Sequence, residues 1–190
     1  MAYTPKIDEK QLVADLLDPA KSRAAFDVLT RTYGEQIYWQ IRKMVVSHED
    51  ASDLLQNTFM KAWANLDHFR GDAKLSTWLF KIAVNESLNH LNKERSRQAV
   101  NGSPEDGDSF LIDNLQADRY FDGDALKLEL QKAIAMLPEK QRLVFNMRYF
   151  DEMKYEQISE ILGTSVGALK SSYHHAVKKI EDYFSKWDDV

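Results

Sequence analysis

The run from Tyr155 to Lys179 carries side chains that suit contacts with duplex DNA. Two stretches with helical spacing, 155–162 and 166 onward, are separated by Gly163-Thr164-Ser165. Two helices joined by a short glycine-containing turn form a helix-turn-helix, whose second helix can enter a major groove. Opposite its apolar positions, the second helix presents small and polar residues: Gly167, Lys170, Ser171, His174 and Lys178, with Ser172 and His175 at the margin. Such residues can meet base edges and phosphates. A solvated helix face has the same pattern, so the stripe alone leaves both interpretations open.

A second candidate surface lies in the segment 59–97, where aromatic and basic residues alternate. On its last predicted helix, one stripe at helical spacing is polar or basic at every position but Leu88: Lys81, Asn85, Leu88, Asn89, Asn92 and Arg95 or Ser96. Aromatic rings stack on unpaired bases, asparagine reads base edges and basic groups hold the backbone, so the segment suits single-stranded DNA. Asn85 is the most informative position, because asparagine is a weak helix former and has no capping role in mid-helix. We expect Trp63, Trp78 and Phe80 in the hydrophobic core.

The sequence contains no pattern for catalysis or cofactor binding. It has no His-Glu-x-x-His helix, glycine-rich phosphate loop or nucleophile elbow. The adjacent His174 and His175 point about 100° apart on a helix and have no further ligand at an i+4 step, which argues against a metal site. Cysteine is absent, which excludes disulfides and thiolate ligands. We therefore expect a protein that is not an enzyme and has no cofactor or metal.

The elements that carry these surfaces are all predicted to be helices. Apolar residues recur at three- and four-residue spacing, and strand-like alternation is absent. Ser47 or Asp50 is the predicted N-cap of the third helix, Ser76 that of the fourth, and Pro138 is placed in the first turn of a later one. The predicted helices before the helix-turn-helix are 8–18, 22–46, 50–66, 77–97, 126–137 and 138–149.

The distribution of charge divides the chain into two domains. The 190 residues carry a net charge of −5, and nearly all of the excess acid lies in the middle, where 99–126 has one arginine and seven Asp or Glu. Gly, Pro, Ser and Asp cluster in this region without a helical period. We predict an all-α fold with small domains at 8–97 and 125–187, joined by a mobile acidic linker at 98–124.

The sequence also indicates where the protein works. The chain has no run of about 18 apolar residues, so no membrane insertion is expected. Its polar N-terminus is unlike a secretory signal. Together with the absence of cysteine, these features predict a cytoplasmic protein.

Two groups of motifs resemble the sigma factors of bacterial RNA polymerase. The first group, which resembles region 2, is DLLQNTFMKAW at 53–63, LDHFRGD at 66–72 and STWLFKIAVN at 76–85. The second, which resembles region 4, is LPEKQR at 137–142, RYF at 148–150 and the helix-turn-helix. The two groups in this order, separated by a short acidic linker, are typical of the small two-domain extracytoplasmic-function (ECF) group.

The resemblance implies a promoter-specificity subunit that binds core polymerase, recognises two promoter elements and helps to melt one. Residues that match the surface for the clamp coiled coil of the largest subunit are Asp53, Gln56, Asn57, Phe59, Met60 and Trp63, with Asn57 in place of the usual Glu. The loop that pockets a base flipped from the minus-ten element corresponds to Phe69, Arg70, Gly71 and Asp72. Lys81, Asn85 and Asn89 correspond to the helix that reads this element.

Further partners and contacts are implied by the same resemblance. The residues matched to the minus-thirty-five element are Arg148, Tyr155, Lys170, Ser171, Ser172, His174, His175 and Lys178. The polymerase flap and an anti-sigma factor are implied partners besides promoter DNA. The linker corresponds to a segment that family members thread through polymerase channels. Its acidity suits a nucleic-acid mimic in a basic channel, and a simple tether explains it equally well.

Two other functions compete with this interpretation. One is a DNA-binding regulator with a sensory N-terminal domain, which should bind its operator without polymerase. The other is an enzyme with an accessory DNA-binding domain, against which the lack of a catalytic motif argues. Family recognition helices are often rich in arginine, whereas this one has Ser172, His174 and His175. Because histidine gains charge on acidification, a further hypothesis is that duplex affinity rises as pH falls.

Overall fold

The computed structural model describes residues 8–69, 71, 73–100, 111, 112, 115 and 125–187. Throughout these residues every regular element is a helix, which confirms the predicted all-α fold. No helix in the described ranges is long and apolar enough to cross a membrane. The helices are α1 (Glu9–Leu17), α2 (Ser22–Val45), α3 (His48–Ala64), α4 (Leu75–Val100), α5 (Ala125–Ala135), α6 (Glu139–Phe145), α7 (Tyr155–Leu162) and α8 (Val166–Trp187).

The N-terminal unit is built around α2, α3 and α4, which pack on one another, with α1 lying against α2. Its fully buried side chains, each on an apolar stripe, include Leu29, Ile41 and Leu79. Burying one such side chain contributes roughly 1.5–3 kcal/mol, so the stripes hold the three helices together. Ser47 is the N-cap of α3, where its side chain accepts a hydrogen bond from the backbone N–H of Asp50 (3.2 Å). Of the two predicted caps, the structure therefore selects Ser47.

The start of α4 differs from the sequence-based prediction. The helix begins at Leu75, so Ser76 lies inside its first turn and the predicted Ser76 cap is wrong. The backbone N–H of Leu75 donates to Glu9 Oε1 of α1 (2.6 Å) instead. An unsatisfied N–H at a helix start needs an acceptor, and a carboxylate there is also favoured by the helix dipole. The acceptor comes from 66 residues earlier in the chain, which local sequence patterns do not reveal.

The C-terminal unit contains the predicted helix-turn-helix as α7 and α8. Gly163 ends α7 with φ of 61°, and its N–H donates to the carbonyl of Ser159 (2.9 Å). This left-handed conformation favours glycine. Pro138 directly precedes α6 as its N-cap, one residue before the predicted first-turn position. After α6, the chain continues as a π-helical stretch over Asn146–Phe150.

The two units pack against each other. Helix α4 contacts α7, and Leu143, Met147 and Ile158 belong to the same hydrophobic cluster as the core of the N-terminal unit. Two residues of the predicted linker, Leu111 and Leu115, also belong to this cluster and are buried. Most other residues of the predicted linker lie outside the described residues, so its bounds and mobility stay a prediction. Two leucines four residues apart are too few to indicate a helix within a segment that is otherwise acidic.

Candidate nucleic-acid and polymerase interfaces

Helix α4 presents the predicted polar face to solvent. Lys81, Asn85 and Asn89 are all exposed and follow one another at four-residue steps. Neighbouring positions on the other side of the helix, among them Val84 and Leu91, are buried. The asparagines therefore lie on a helix whose position is set by core packing, which is how a reading surface is best held.

An ion pair beside this face reduces its negative charge. Glu86 follows Asn85 on α4 and accepts a hydrogen bond from Lys61 Nζ of α3 at 2.5 Å. The Glu86 side chain is mostly buried, whereas Lys61 is largely exposed. An unpaired carboxylate here would repel a nucleic-acid backbone. The pair with Lys61 offsets this repulsion one residue away from Asn85.

The loop before α4 begins at a buried aromatic residue. Phe69 is only 5% exposed, and its ring packs on Trp78 with centroids 5.0 Å apart. The predicted part of Phe69 in a pocket for a flipped base stays a prediction. Gly71 has φ of 74°, a left-handed conformation in which other residues are strained. Arg70 and Asp72 lie outside the described residues.

The outer face of α3 combines polar residues with exposed apolar ones. Asp53, Gln56 and Asn57 are exposed, and Met60 and Trp63 are 61% and 45% exposed. Neighbouring exposed apolar side chains of this size mark interaction surfaces more often than single ones do. The face therefore has the character of a protein-binding site.

The aromatic residues behind this face support it. The Trp63 ring packs on the Phe26 ring, with 4.9 Å between centroids. Phe59, which is partly buried, also packs on the Phe26 ring, with 6.2 Å between centroids. Edge-to-face pairs of this kind hold the rings in fixed positions. Of the three aromatics expected in the core, Phe80 is buried and Trp78 is partly buried, whereas Trp63 keeps almost half of its surface exposed.

The recognition helix α8 separates an apolar side from a polar side, as its sequence predicts. Leu169, Ala176 and Ile180 are buried. Ser172 is partly buried at the boundary. The residues on the opposite side are exposed: Gly167, Lys170, Ser171, His174, His175 and Lys178. Small side chains at the N-terminal end of this face leave room for close approach to a groove.

Tyr155 organises two of the predicted cationic contacts. The Arg148 guanidinium lies 5.3 Å from the centroid of the Tyr155 ring, and the Lys170 ammonium lies 5.8 Å from it. Arg148 Nη1 also donates to the carbonyl of Met153 (3.0 Å). Cation–π contacts contribute about 0.5–1 kcal/mol each at exposed sites. The Tyr155 ring thus contacts one cation from the π-helical stretch and one from α8. The sequence predicted all three residues as DNA contacts but gave no sign of this arrangement.

A groove between α5 and α8 was not predicted. It has a volume of about 510 Å³, and Met136 at its edge is 61% exposed. Tyr183, which lines it, donates to Glu129 Oε2 of α5 (2.6 Å), and this hydrogen bond raises the pKa of Tyr183 to about 12. No sequence pattern indicated the groove, because the exposure of Met136 is visible only in the structure. The lining residues are Ala133, Met136, Leu137, Lys179, Asp182, Tyr183 and Lys186.

Metal-binding chemistry has no geometric support in the described ranges. They contain no group of three or more His, Cys, Asp or Glu side chains placed to hold an ion. The rings of His174 and His175 are 5.9 Å apart between centroids and tilted by 56°. Both side chains are exposed on the recognition face, where they are available to a partner.

These features together define a helical protein with one helix-turn-helix and separate exposed faces on α3, α4 and α8. Comparison with known families shows which class this is. A family described as "Sigma-70 region 2" matches residues 29–97, and one described as "Sigma-70, region 4" matches residues 127–180. The two matches include α4 and the helix-turn-helix.

Curated relatives narrow the class. The chain is 31% identical to the RNA polymerase sigma-H factor of Pseudomonas aeruginosa over 165 residues, which is 84% of this chain and 86% of that protein. It is 31% identical to the ECF RNA polymerase sigma factor SigW of Bacillus subtilis over 156 residues, covering 79% and 83%. It is also 31% identical to the ECF RNA polymerase sigma-E factor of Escherichia coli over 173 residues, covering 83% and 85%. The chain belongs to the sigma-70 family, and within it to the ECF group.

Solved structures share the fold. The sigma factor RpoE of Bartonella quintana, in complex with the anti-sigma factor NepR, matches with a TM-score of 0.63 and 24% identity over 84% of this chain and 96% of that one. CnrH, in complex with the cytosolic domain of CnrY, matches with a TM-score of 0.67 and 20% identity over 94% and 97%.

Proposed function

We propose that the exposed faces on α3, α4 and α8 are the binding surfaces of a promoter-specificity subunit of RNA polymerase. The α3 face binds polymerase, and the α4 and α8 faces bind promoter DNA. The observation that carries this assignment is the exposed line Lys81, Asn85 and Asn89 on α4. Asparagine amides can donate to and accept from base edges, and the neighbouring lysine can bind the backbone of an unpaired strand. This α4 face is assigned to the non-template strand of the minus-ten element.

The loop at 69–72 is assigned to a base extruded from the same element. Extruding a base costs a few kcal/mol, so a preformed loop lowers the barrier to melting. Phe69 and Gly71 support this role indirectly. The buried ring fixes where the loop starts, and the left-handed glycine sets where it turns.

The exposed stripe of α8 is assigned to the minus-thirty-five element in duplex DNA. Lys170, Ser171 and His174 lie where a recognition helix meets base edges. Arg148 reaches the phosphate backbone from beside Tyr155. The stripe has few cations, so its affinity alone should be low. Polymerase joins it to the α4 face at high effective concentration, which makes two weak contacts sufficient.

Polymerase itself is assigned to two surfaces. The α3 face, with Met60 and Trp63 at its centre, is proposed to dock on the clamp coiled coil, because exposed aromatic and methionine side chains are enriched at interfaces. The groove between α5 and α8 is proposed for the flap. It offers an apolar side at Ala133, Met136 and Leu137. Lys179 on its other side lies about 14 Å along α8 from Lys170, so the same unit can hold DNA and polymerase together.

The remaining assignments concern boundaries and regulation. We place the region 2 domain at 8–97, the linker at 98–124 and the region 4 domain at 125–187. RpoE of Bartonella quintana is seen with the anti-sigma factor NepR, and an anti-sigma factor is proposed for this chain also. Since polymerase and promoter DNA are its proposed partners, its site of action is the cytoplasm.

Copurification with core polymerase and run-off transcription test this function. Two substitutions test the two steps separately, since one is expected to affect open-complex formation and the other core binding. Asn85→Ala should reduce open-complex formation, by roughly ten-fold for the loss of one base-edge contact, with core binding unchanged. Met60→Asp should reduce core binding, because it places a charge at the centre of the proposed clamp surface. Gln36→Ala, at an exposed position of α2, should change neither. Failure of the unmodified chain to bind core or to direct initiation would refute the proposal.

A further inference from the structure

The recognition helix α8 carries two neighbouring histidines on its exposed side. His174 and His175 are both exposed, and their ring centroids lie 5.9 Å apart with the ring planes tilted by 56°. Neighbouring positions on a helix point about 100° apart, so the two imidazoles lie in two adjacent rows of the helix surface. Histidine is the side chain that ordinarily changes its charge between about pH 5 and pH 8. The face proposed to bind duplex DNA therefore contains two groups of variable charge.

Both histidines lie one helical turn from lysines. His174 is four residues after Lys170 and four before Lys178, and His175 is four before Lys179. Side chains at this spacing have Cβ atoms about 5–6 Å apart. All three lysines are exposed. A DNA phosphate that binds one of these lysines is therefore within reach of a neighbouring imidazole.

The acidic residues of α8 are remote from the two imidazoles. Glu181 and Asp182 are the first acids after the histidines, and each lies seven positions beyond one of them. This separation is about 10 Å along the helix axis. Exposed charges at such a distance are largely screened at physiological ionic strength. The helix itself therefore provides no carboxylate that can act as the counter-ion of a protonated His174 or His175.

The helices that pack against α8 are α5, α6 and α7. The two acids on α5 and α6 are already paired, Glu129 with Lys132 and Glu139 with Arg95. Within the described residues, no charged group of these helices forms an ion pair with either imidazole. The charged and titratable residues are Lys127, Glu129 and Lys132 on α5, Glu139, Lys140 and Arg142 on α6, and Tyr155, Glu156 and Glu160 on α7.

Duplex DNA would supply the missing negative charge. A neutral imidazole has one hydrogen-bond donor and one acceptor, whereas the protonated form has two donors. Phosphate oxygens and the major-groove edge of guanine are acceptors, so they favour the protonated form. These acceptors are beside the imidazoles only in the complex. The complex therefore holds more protons than its separate components, and its affinity rises as pH falls.

We propose that His174 and His175 form a proton-linked contact with duplex DNA, in which both bind as imidazolium ions. Acidification strengthens the contact of α8 with the duplex, and a rise in pH weakens it. Each protonated histidine should increase affinity about two- to fivefold, which is the range for exposed ion pairs. Each should also increase the magnitude of the salt slope by about 0.9. This inference rests on the proposed function, since it takes duplex DNA as the partner of α8.

The first test uses holoenzyme made from the full-length chain and core polymerase. The probe is a short labelled duplex that this holoenzyme has selected from a randomised pool at neutral pH. Its affinity is measured between about pH 5.5 and pH 8 at several salt concentrations. The unmodified chain should gain about four- to 25-fold in affinity as pH falls. Contributions of polymerase to the pH profile are common to all variants and cancel in the ratio of affinities.

Two double variants fix the charge in opposite states. His174→Gln with His175→Gln should bind weakly, and His174→Lys with His175→Lys should bind tightly, and neither should show the added pH dependence. His48→Gln is the control, because His48 is exposed on α3. It should keep the pH profile of the unmodified chain. A variant that merely misfolds cannot give both the weak and the tight result.

A second measurement detects the protons directly. The chain has five histidines, so their imidazole NMR signals can be assigned from single His→Gln variants. Duplex DNA is added to the free full-length chain at low salt, where non-specific binding is strongest. The signals of His174 and His175 should move to the positions of the protonated rings at a pH where the free chain shows neutral ones. The His48 signal should not move.

The outcomes separate this inference from the proposed function. Parallel pH profiles for the unmodified chain and the double glutamine variant would overturn the proton-linked contact. Imidazole signals of His174 and His175 that ignore the duplex would also overturn it. If the chain neither binds core nor directs initiation, the proposed function fails, whereas the NMR titration still decides whether the two imidazoles take up protons from solution when duplex DNA binds.

Discussion

Replacing Tyr155 by leucine should weaken binding to the minus-thirty-five element although it removes no charge. The Tyr155 ring lies 5.3 Å from the Arg148 guanidinium and 5.8 Å from the Lys170 ammonium. Each cation–π contact is worth about 0.5–1 kcal/mol. Losing both therefore removes about 1–2 kcal/mol of the free energy that holds the two cations in position. At 1.4 kcal/mol per factor of ten, affinity for the duplex should fall roughly 5- to 30-fold.

The assay is holoenzyme binding to a labelled duplex that carries the minus-thirty-five element, titrated over a range of salt. Tyr155→Phe is the matched control, because it keeps the ring and loses only the hydroxyl. It should bind as the unmodified chain does. The slope of the logarithm of the binding constant against the logarithm of salt concentration should be unchanged in Tyr155→Leu, because this variant removes no charge. Lys170→Ala should lower the magnitude of that slope by about one.

Two results would contradict this reasoning. If Tyr155→Phe loses as much affinity as Tyr155→Leu, the hydroxyl makes the contact and the ring does not act through the cations. If Tyr155→Leu binds normally, Arg148 and Lys170 are positioned by other contacts, such as the hydrogen bond from Arg148 to Met153.

Three further predictions follow from burial, backbone conformation and charge. Leu79→Ala should lower the free energy of unfolding by about 2–5 kcal/mol in chemical denaturation, because Leu79 is fully buried; a loss below 1 kcal/mol would contradict this. Gly71→Ala should slow open-complex formation with core binding unchanged, since alanine is strained at φ of 74°; normal melting would refute it. The raised pKa of Asp151 means that its ionised form is disfavoured in the folded chain, so stability should fall as pH rises above the ordinary value of 3.8. The stability of Asp151→Asn relative to the unmodified chain should therefore be greater at about pH 7 than at about pH 4, and an equal difference at both would count against it.

Local sequence was sufficient for most of the helices, because each has an apolar stripe at helical spacing. It was also sufficient for the helix-turn-helix, since Gly163 ends α7 in a conformation that glycine favours. The exposed position of Asn85 followed from its chemistry, because an asparagine in mid-helix has little reason to be buried.

Predictions failed where the deciding partner lies far away in the sequence. Ser76 had the right residue type for a cap, but Glu9 of α1 provides the acceptor at the start of α4. Trp63 was expected in the core, and only one side of its ring meets Phe26.

The sequence by itself determined the all-α fold, the order of the two helical units and which residues are proposed to face DNA, because periodicity, turn chemistry and motifs are local properties. Only the tertiary structure decided how these residues are held. The contact of Lys43 with Asp151, the position of Tyr155 between two cations and the burial of Leu111 and Leu115 each join residues from different elements. Such contacts depend on how helices pack, and packing is set by shape and burial across the whole chain rather than by any one segment.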